Sequence, residues 1–582
     1  MTLLTRRVAL LMDAIEDDYQ AGIVRGVLRA SAQSGAQVRC IAGGVVGGAS
    51  TDPRTQKNFL FDLVEPSAYD GVLALTGALG NHLGAVGLGR WLAPFAARPL
   101  VTLGPDLPDH QGISVDGGAG MRAAVLHLIQ EHGHRRIAFV RGPRHSAEAE
   151  ERYLAYQYAL EECGIEPDER LVLEGSWLRE SGAAAVRELF DARRVNVELV
   201  GAIAAANDYM ALGVLDELGA RDIAVPESIA VTGFDDLDTL RGVVPALTTV
   251  RQPTDELGAA GFQRLIALLN RREEPLVTKL AAQLVERRSC GCVRARTARV
   301  SRSPNSARSF DAALVERRTL ICAELARSAR GALFGVGSGW ENRLLSAFMS
   351  DVAARATSAF VGVVSDILVR LARSGEDPAL LQPVLEQLRL SVNECTGGDA
   401  DARLRSGDLF DAAREAMAEF LIRTETARRV AVLRQLRELS ALAAFLLSGP
   451  PLERVQAELA QRFTALGVGA LSLGLFTEPG RVSEQCLCLA AFNDGKRAPA
   501  PRTFRARDLC PPELFAQEKR PLLVQPLTFE GMPLGLVSCV LGDLENGVYE
   551  QLREALSAGL QGYRLQSAAH SGQIPSRKSV QS

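Results

Sequence analysis

AIAAANDYMALGVLDELGARDIAVPESIAVTGFDD, residues 202–236, is the stretch that decides the fold. Ala202–Ala205 is a short apolar run, Asp208–Leu218 has helical spacing, and Ile229–Thr232 is a second apolar run. Strand, helix of ten or more residues, strand is the βαβ unit, because two parallel strands can be joined only by a long crossover. Polar residues fall directly after the strands: Asn207 after the first and Asp235 after the second, with Gly233 letting the backbone turn tightly. In open α/β sheets ligands bind beyond the carboxyl ends of the strands, so these positions are where a site is sought.

Working outward, the same alternation runs from residue 7 to about 289. Val8–Met12, Gly71–Leu75, Pro99–Leu103, Ile137–Val140 and Arg170–Leu173 read as strands. Tyr19–Ser34, Ala119–Glu131, Glu150–Glu162 and Ser181–Leu189 read as helices. These are too many units for one ordinary sheet, so two doubly wound lobes are expected. Asp13, Tyr19, Arg152 and Trp177 join Asn207 and Asp235 as polar or aromatic groups at strand ends and helix starts. Asp13 and Tyr19 are placed by position alone.

The rest of the 582-residue chain is different. Residues 287–308 hold seven arginines and no acidic residue, and read as an exposed linker. A nucleic-acid arm is the sharper alternative, but the stretch has no aromatic side chain to stack on bases. Residues 309–447 read as helical. Met417, Phe420, Leu421, Thr424, Ala427 and Ala431 recur every three or four residues, which suits a long helix that pairs with a copy of itself or packs within its own subunit. From Pro451 the pattern becomes mixed, with a helix over Leu452–Leu466. Strands follow at Ala470–Phe476, Gln485–Phe492, Leu522–Leu527 and Leu534–Leu541, then a closing helix over Val548–Tyr563. The tail from about Gln566 is expected to be disordered.

Composition narrows the function. Lys+Arg 65 against Asp+Glu 69 gives a net charge of −4, which excludes a strongly basic protein dominated by phosphate contacts. Arg6 and Arg7 are followed by an apolar run of only Val8–Met12, too short for a signal peptide, and no apolar stretch is long enough to span a bilayer. A cytoplasmic protein without membrane contact is expected. The ten cysteines form no disulfide framework. Neither Cys290–Gly–Cys292 nor Cys486–Leu–Cys488 has a second pair at zinc-ribbon spacing or a His cluster beside it in the chain, so both read as reduced structural thiols. His132 and His134 lack further ligands in the sequence. No catalytic arrangement of Ser/His/Asp or Cys/His emerges, and Gly331–Gly339 lacks the Lys-Ser/Thr of a phosphate loop. No enzyme, cofactor or metal is therefore expected.

HLIQEHGHRRIAFVRGP (127–143), ERYLAYQYAL (151–160), AANDYMALGVLDELG (205–219), VPESIAVTGFDDLD (225–238) and LTTVRQPTDELG (247–258) stand in one order. In this, residues 7–289 resemble the ligand-binding core of the lac-repressor and purine-repressor family, and so the periplasmic sugar-binding proteins. The resemblance implies an α/β fold of two Rossmann-like lobes (periplasmic binding protein type I). Lobe 1 would span about 7–116 and 251–279, and lobe 2 about 117–250 and 280–289. Three crossovers would lie near Ser114–Gly117, Val250–Gln252 and Lys279–Ala281. It also implies ligand roles: Arg152 as a fork of donors for hydroxyls or a purine edge, Trp177 as a flat face for a sugar, Asn207 as donor and acceptor, and Asp235 as acceptor for vicinal hydroxyls.

The first core strand begins at about Arg7, which leaves no room for the helix-turn-helix that such repressors carry. LVERRSCGC (284–292) and PLLVQPLTFEGMPLG…VYEQLREALSAGLQG (521–562, interrupted) resemble larger bacterial signalling proteins. There an Arg-rich linker (290–308), a helical connector (309–447) and an α+β GAF-like module (448–565) would follow the sensor, ahead of a tail at 566–582. The implied function is a non-enzymatic, dimeric sensor. It would bind a small polar ligand, sugar or related metabolite, and act through a separate output protein (kinase, cyclase or regulator) without touching DNA. The alternative is a transcriptional regulator acting on DNA itself or through a partner.

Overall fold

The computed structural model describes residues 6–570 apart from 241, 273–274, 293–308, 330–335, 375–377, 397–398, 449–451, 479, 494–495, 498–502, 516–517 and 543–545. Most of the Arg-rich linker, the first half of the Gly331–Gly339 run and the end of the tail thus lie outside the described residues. The chain forms two compact units, one of residues 1–294 with 435–582 and the other of residues 295–434.

In the first unit, six parallel strands build the first wall of the N-terminal region. Their spatial order is Val277–Ala281, Gln111–Asp116, Leu100–Leu103, Gly71–Leu75, Arg7–Met12 and Gln37–Ala42. The central runs Arg7–Met12, Gly71–Leu75 and Leu100–Leu103 are apolar almost without alternation, as suits strands buried on both faces, and Val8, Leu10, Leu73 and Val101 are fully buried. The helix Asp18–Ser34 starts where the Asp17 carboxylate accepts from the Gln20 N–H at 2.9 Å. It packs against the helix Thr254–Leu269 at backbone range. A Cβ on Gly26 would lie 2.0 Å from the Asp255 carbonyl oxygen, and one on Gly258 would lie 2.0 Å from that of Ile23.

The second wall has four parallel strands, ordered Val172–Glu174, Ile137–Arg141, Ala202–Ala205 and Ala230–Thr232. The edge strand is thus Val172–Glu174 rather than Arg170–Leu173. Asp168 accepts from the Arg170 N–H at 3.0 Å and turns Glu169–Leu171 into a 3₁₀ segment first. Thr249–Arg251 pairs antiparallel with Gln283–Val285. The chain leaves the first sheet at Asp116, returns to it after Arg251, and leaves again after Ala281.

The exposed linker read at 287–308 is corrected at its start. Arg287 forms an ion pair with the buried Asp236 and donates to the Leu247 carbonyl, the Arg288 N–H bonds to the Ala246 carbonyl, and Cys290 is buried. Residues 287–292 therefore belong to the second wall.

The C-terminal module is α+β. Leu522–Phe529, Met532–Val540, Ala470–Phe476 and Gln485–Asn493 form an antiparallel sheet in that order, with helices Leu452–Leu466 and Asn546–His570. The closing helix runs to His570, so residues 566–570 are helical rather than disordered. The module is not a separate layer. Leu522–Val524 pairs in parallel with Arg39–Ile41, which joins both sheets into one of twelve strands. Cys40 and Val38 share a core with Leu523, Cys539, Leu556 and Leu560. Lys57 and Glu550 meet at 2.7 Å, and Arg553 grips the same Glu550 carboxylate at 2.6 and 2.8 Å, all three side chains nearly buried.

In the second unit, Phe310–Ser328, Trp340–Ala354, Ser358–Ser374 and Leu381–Thr396 are helices. They are followed by Ala400–Leu447, whose residues from Gln435 belong to the first unit. Phe348 stacks on Phe410 with ring centroids 5.2 Å apart and meets Phe360 edge-on at 5.3 Å, amid buried Leu344, Leu368 and Leu388. No helix among the described residues is long and apolar enough to cross a membrane.

Gly258→Val places a branched side chain where only backbone fits. A loss of about 1–3 kcal/mol or more is expected in denaturant unfolding; unchanged stability would show that the two helices can move apart freely.

Candidate functional site

The helix Ala147–Glu162 starts at Ser146, whose hydroxyl accepts from the Ala149 N–H. That start places Glu148 and Arg152 one turn apart on one face, with Glu148 Oε1 against Gly77 of the other lobe. Arg152 is only 3% exposed. Its Nη1 donates to the Ala206 carbonyl at 2.8 Å and lies 3.9 Å from Asp235 Oδ1, while Nη2 lies 3.5 Å from Glu148 Oε2. Its guanidinium sits 3.8 Å over the Phe234 ring and 5.3 Å from the Trp177 ring. Such contacts are worth up to about 2 kcal/mol when desolvated. Arg152 Nε is buried and finds no hydrogen-bond partner among the described residues.

Asp235 stands at φ 119°, a left-handed backbone, and its Oδ1 accepts from Gln252 Nε2 at 2.7 Å. Burial pushes its carboxyl well above the usual range, against the pull of Arg152. Burial also raises Glu148, with Arg152 again opposing. From the other lobe comes Tyr19. A Cβ on Gly77 would lie 3.1 Å from its Oη and 2.8 Å from Glu148 Oε1, so the hydroxyl and the carboxylate face one narrow space. Tyr19 Oη is buried without a hydrogen-bond partner among the described residues.

Trp177 has φ 68°, which a non-glycine residue adopts only when its surroundings hold it there. Gly142 makes room for its ring: a Cβ there would lie 2.5 Å from Cη2. Its indole N–H donates to Asn81 Oδ1 of the first lobe at 3.1 Å. Thr239 donates to Asp18 at 2.6 Å, and Lys279 lies 3.6 Å from Glu151. The two lobes are therefore hydrogen-bonded across the cleft.

Four of the six sequence-derived residues, Arg152, Trp177, Asp235 and Tyr19, converge on this cleft. Asn207 is built into the second wall as a cap. Its Oδ1 caps the helix Asp208–Ala220 by accepting from the Met210 N–H at 2.9 Å, and its Nδ2 donates to the Trp177 carbonyl at 3.0 Å. It positions Trp177 and, with one amide hydrogen and one oxygen lone pair used, retains a second of each. Asp13 directly follows the strand Arg7–Met12. Its N–H donates to Gln20 Oε1, its carboxyl is pushed up to about 7 by burial and by Asp17, and Arg54 and Lys57 are the cations that pull it down. Sequence reading missed Glu148, Phe234 and Asn81. Glu148 was within reach, because it lies four residues before Arg152 on one helix face. Asn81 lies in an irregular segment with no periodicity to flag it.

Residues 125–290 match the family described as periplasmic binding protein-like domain. The chain is 29% identical over 292 residues to the HTH-type transcriptional repressor PurR of Klebsiella pneumoniae (strain 342), covering 49% of this chain and 80% of the repressor. It is 37% identical over 198 residues to the HTH-type transcriptional regulator CelR of Thermobifida fusca, covering 34% of this chain and 55% of that protein. A solved transcriptional regulator CelR–cellobiose complex is 31% identical, over 49% of this chain and 86% of that one, with a TM-score of 0.42. The chain thus carries a periplasmic-binding-protein-like domain related to the sensor cores of LacI- and PurR-type regulators.

Next to the cleft, Asp208 is buried, and its carboxylate accepts from Thr249 at 2.6 Å and from the Leu237 N–H at 3.1 Å. Burial raises its pKa from 3.8 to about 7, with Asp236 adding and Arg287 subtracting. Because the folded state then binds the proton more tightly than the unfolded chain, this group's contribution is present below about pH 4. It is lost as pH rises through about 7. Asp208→Asn should flatten the fall in urea midpoint between pH 5 and 8; an unchanged slope would mean that Asp208 does not hold its proton.

Proposed function

We propose that this chain is a non-enzymatic, ligand-operated sensor that takes a small polar molecule, a sugar or related metabolite, between the lobes of residues 7–289. One observation carries the reading. Two buried, unpartnered polar atoms, Arg152 Nε and Tyr19 Oη, come from opposite lobes of one cleft, beside an acceptor pair and two aromatic faces. A polyhydroxylated ring supplies both donors and acceptors for such a set, and its C–H face suits Trp177. The related CelR, 31% identical in sequence, is solved with cellobiose, which agrees with the sugar class. Ligand would favour the closed pair of lobes and shift the population toward it. The continuous sheet through Arg39–Ile41 and Leu522–Val524 offers a rigid route to the C-terminal module, which we read as GAF-like.

The signal then leaves through a partner protein. Ile422, Val430 and Leu433 are 66%, 51% and 58% exposed on one long helix, which supports self-association of the chain as a dimer. A second reading, transcriptional regulation through DNA, is favoured by both relatives being named HTH-type transcription factors. A gel shift with genomic fragments at physiological salt separates the two, since specific, salt-resistant shifts support DNA regulation and their absence supports the partner.

A thermal-shift screen of sugars, nucleosides and amino acids should give a stabilising ligand. Arg152→Ala and Asp235→Ala should each weaken it by at least about tenfold, since a charged hydrogen-bond partner is worth about 1.5–3 kcal/mol. Normal binding by both variants would place the site elsewhere. In light scattering, Ile422→Asp with Val430→Asp should shift a dimeric chain to monomer; an unchanged mass would remove that helix from the interface.

A further inference from the structure

Folding gives Cys290–Gly–Cys292 the histidines that it lacks along the chain. No histidine lies near the pair in sequence, but the structure brings His127 and His132 to it. His127 lies in the last turn of the helix Gly117–Gln130 and His132 follows in the turn after it. His127 Nε2 lies 3.4 Å from Cys290 Sγ and 3.4 Å from Cys292 Sγ. His132 Nε2 lies 3.4 Å from Cys292 Sγ and 3.2 Å from His127 Nε2. All four ligand atoms fall within 4.8 Å of one another. His134 is not in the group: its ring stacks on His132 at 6.1 Å and packs against Gly201.

We propose that His127, His132, Cys290 and Cys292 bind a zinc ion. Tetrahedral zinc with Zn–S of about 2.3 Å and Zn–N of about 2.0–2.1 Å sets N···S edges near about 3.5 Å and N···N edges near about 3.3 Å. Three of the four N···S edges are 3.4 Å and the N···N edge is 3.2 Å, and the remaining edges stay within 4.8 Å. Two thiolates and two neutral imidazoles also balance the charge of the dication, as in structural Cys₂His₂ sites. The surroundings are built for it. Gly291, at φ 100°, turns the chain so that both sulfurs point one way, and a Cβ there would come within 3.3 Å of the His132 ring. The Thr248 hydroxyl donates to Cys290 Sγ at 3.0 Å, an outer hydrogen bond of the sort that orients a thiolate ligand. The Ser289 hydroxyl anchors the turn by donating to the Val231 carbonyl at 2.6 Å.

Four ligands leave no open position, so the site is structural rather than catalytic. The ion clips the end of the sensor, just before the Arg-rich segment, onto the helix that opens the second lobe. Ligand loss through thiol oxidation or chelation would loosen the exit of the sensor while leaving the cleft residues in place.

The test uses the full chain, purified under reducing conditions without chelator. Elemental analysis should find about one zinc per chain. Cobalt(II) added to the chelated, reduced protein should give tetrahedral ligand-field bands and thiolate-to-cobalt charge transfer. His132→Ala should lower metal affinity by at least about tenfold, Cys290→Ser with Cys292→Ser should abolish binding, and His134→Ala should leave it intact. Absence of zinc together with a featureless cobalt titration of wild type overturns the proposal, whatever the variants do. Full zinc in the double Cys→Ser variant overturns it as well.

Discussion

A guanidinium withdrawn from water inside a cleft organises the second wall. Burying a charge is costly unless it is paired and hydrogen-bonded, and every neighbour of Arg152 answers part of that demand. Ala206 offers a carbonyl, Asp235 and Glu148 offer carboxylates, and Phe234 and Trp177 offer ring faces. These partners lie at the ends of different strands and on the same helix, so the whole second wall must be folded for the charge to be tolerated. One nitrogen is still left over, and a ligand that satisfies it gains more than it would from the same bond in water.

The cross-lobe contacts follow the same logic. Trp177 is held in a strained backbone by the Asn207 amide below and by Asn81 across the cleft. Strain of this kind fixes the ring in advance, and an immobile side chain loses little entropy when anything packs on it. Behind the first lobe, the edge strand Gln37–Ala42 would present unpaired N–H and C=O groups. The C-terminal module covers that edge with Leu522–Val524, and the Lys57–Glu550–Arg553 cluster fixes the junction beside it. The first lobe and the module are thus joined by backbone hydrogen bonds as well as by side-chain packing.

Much of the fold was legible because it follows from local periodicity. Ala202–Ala205, Gly71–Leu75, Ala470–Phe476 and Leu452–Leu466 have the bounds that apolar runs and helical spacing give. The strand at Val172–Glu174 was misplaced because an Asp168 turn interrupts the apolar run, and local side-chain hydrogen bonds compete with strand pairing. In the cleft, Arg152, Trp177 and Asp235 follow strands or open helices and could be found. Asn207 occupies such a position too, and its Oδ1 also caps a helix, a role that sequence position cannot separate from ligand contact.

By itself, the sequence determined the alternation of strands and helices, the polar residues at strand ends, the near-neutral charge and the long helical segment. Each of these depends on neighbours a few residues away, or on simple counts. Only the tertiary structure decided which groups meet across large separations: Tyr19 with Glu148, Cys40 with Leu523, and His127 with Cys290 and Cys292. Such meetings are set by how sheets stack and crossovers return the chain. No local pattern encodes them, because the side chains that meet are chosen by packing and not by spacing along the chain.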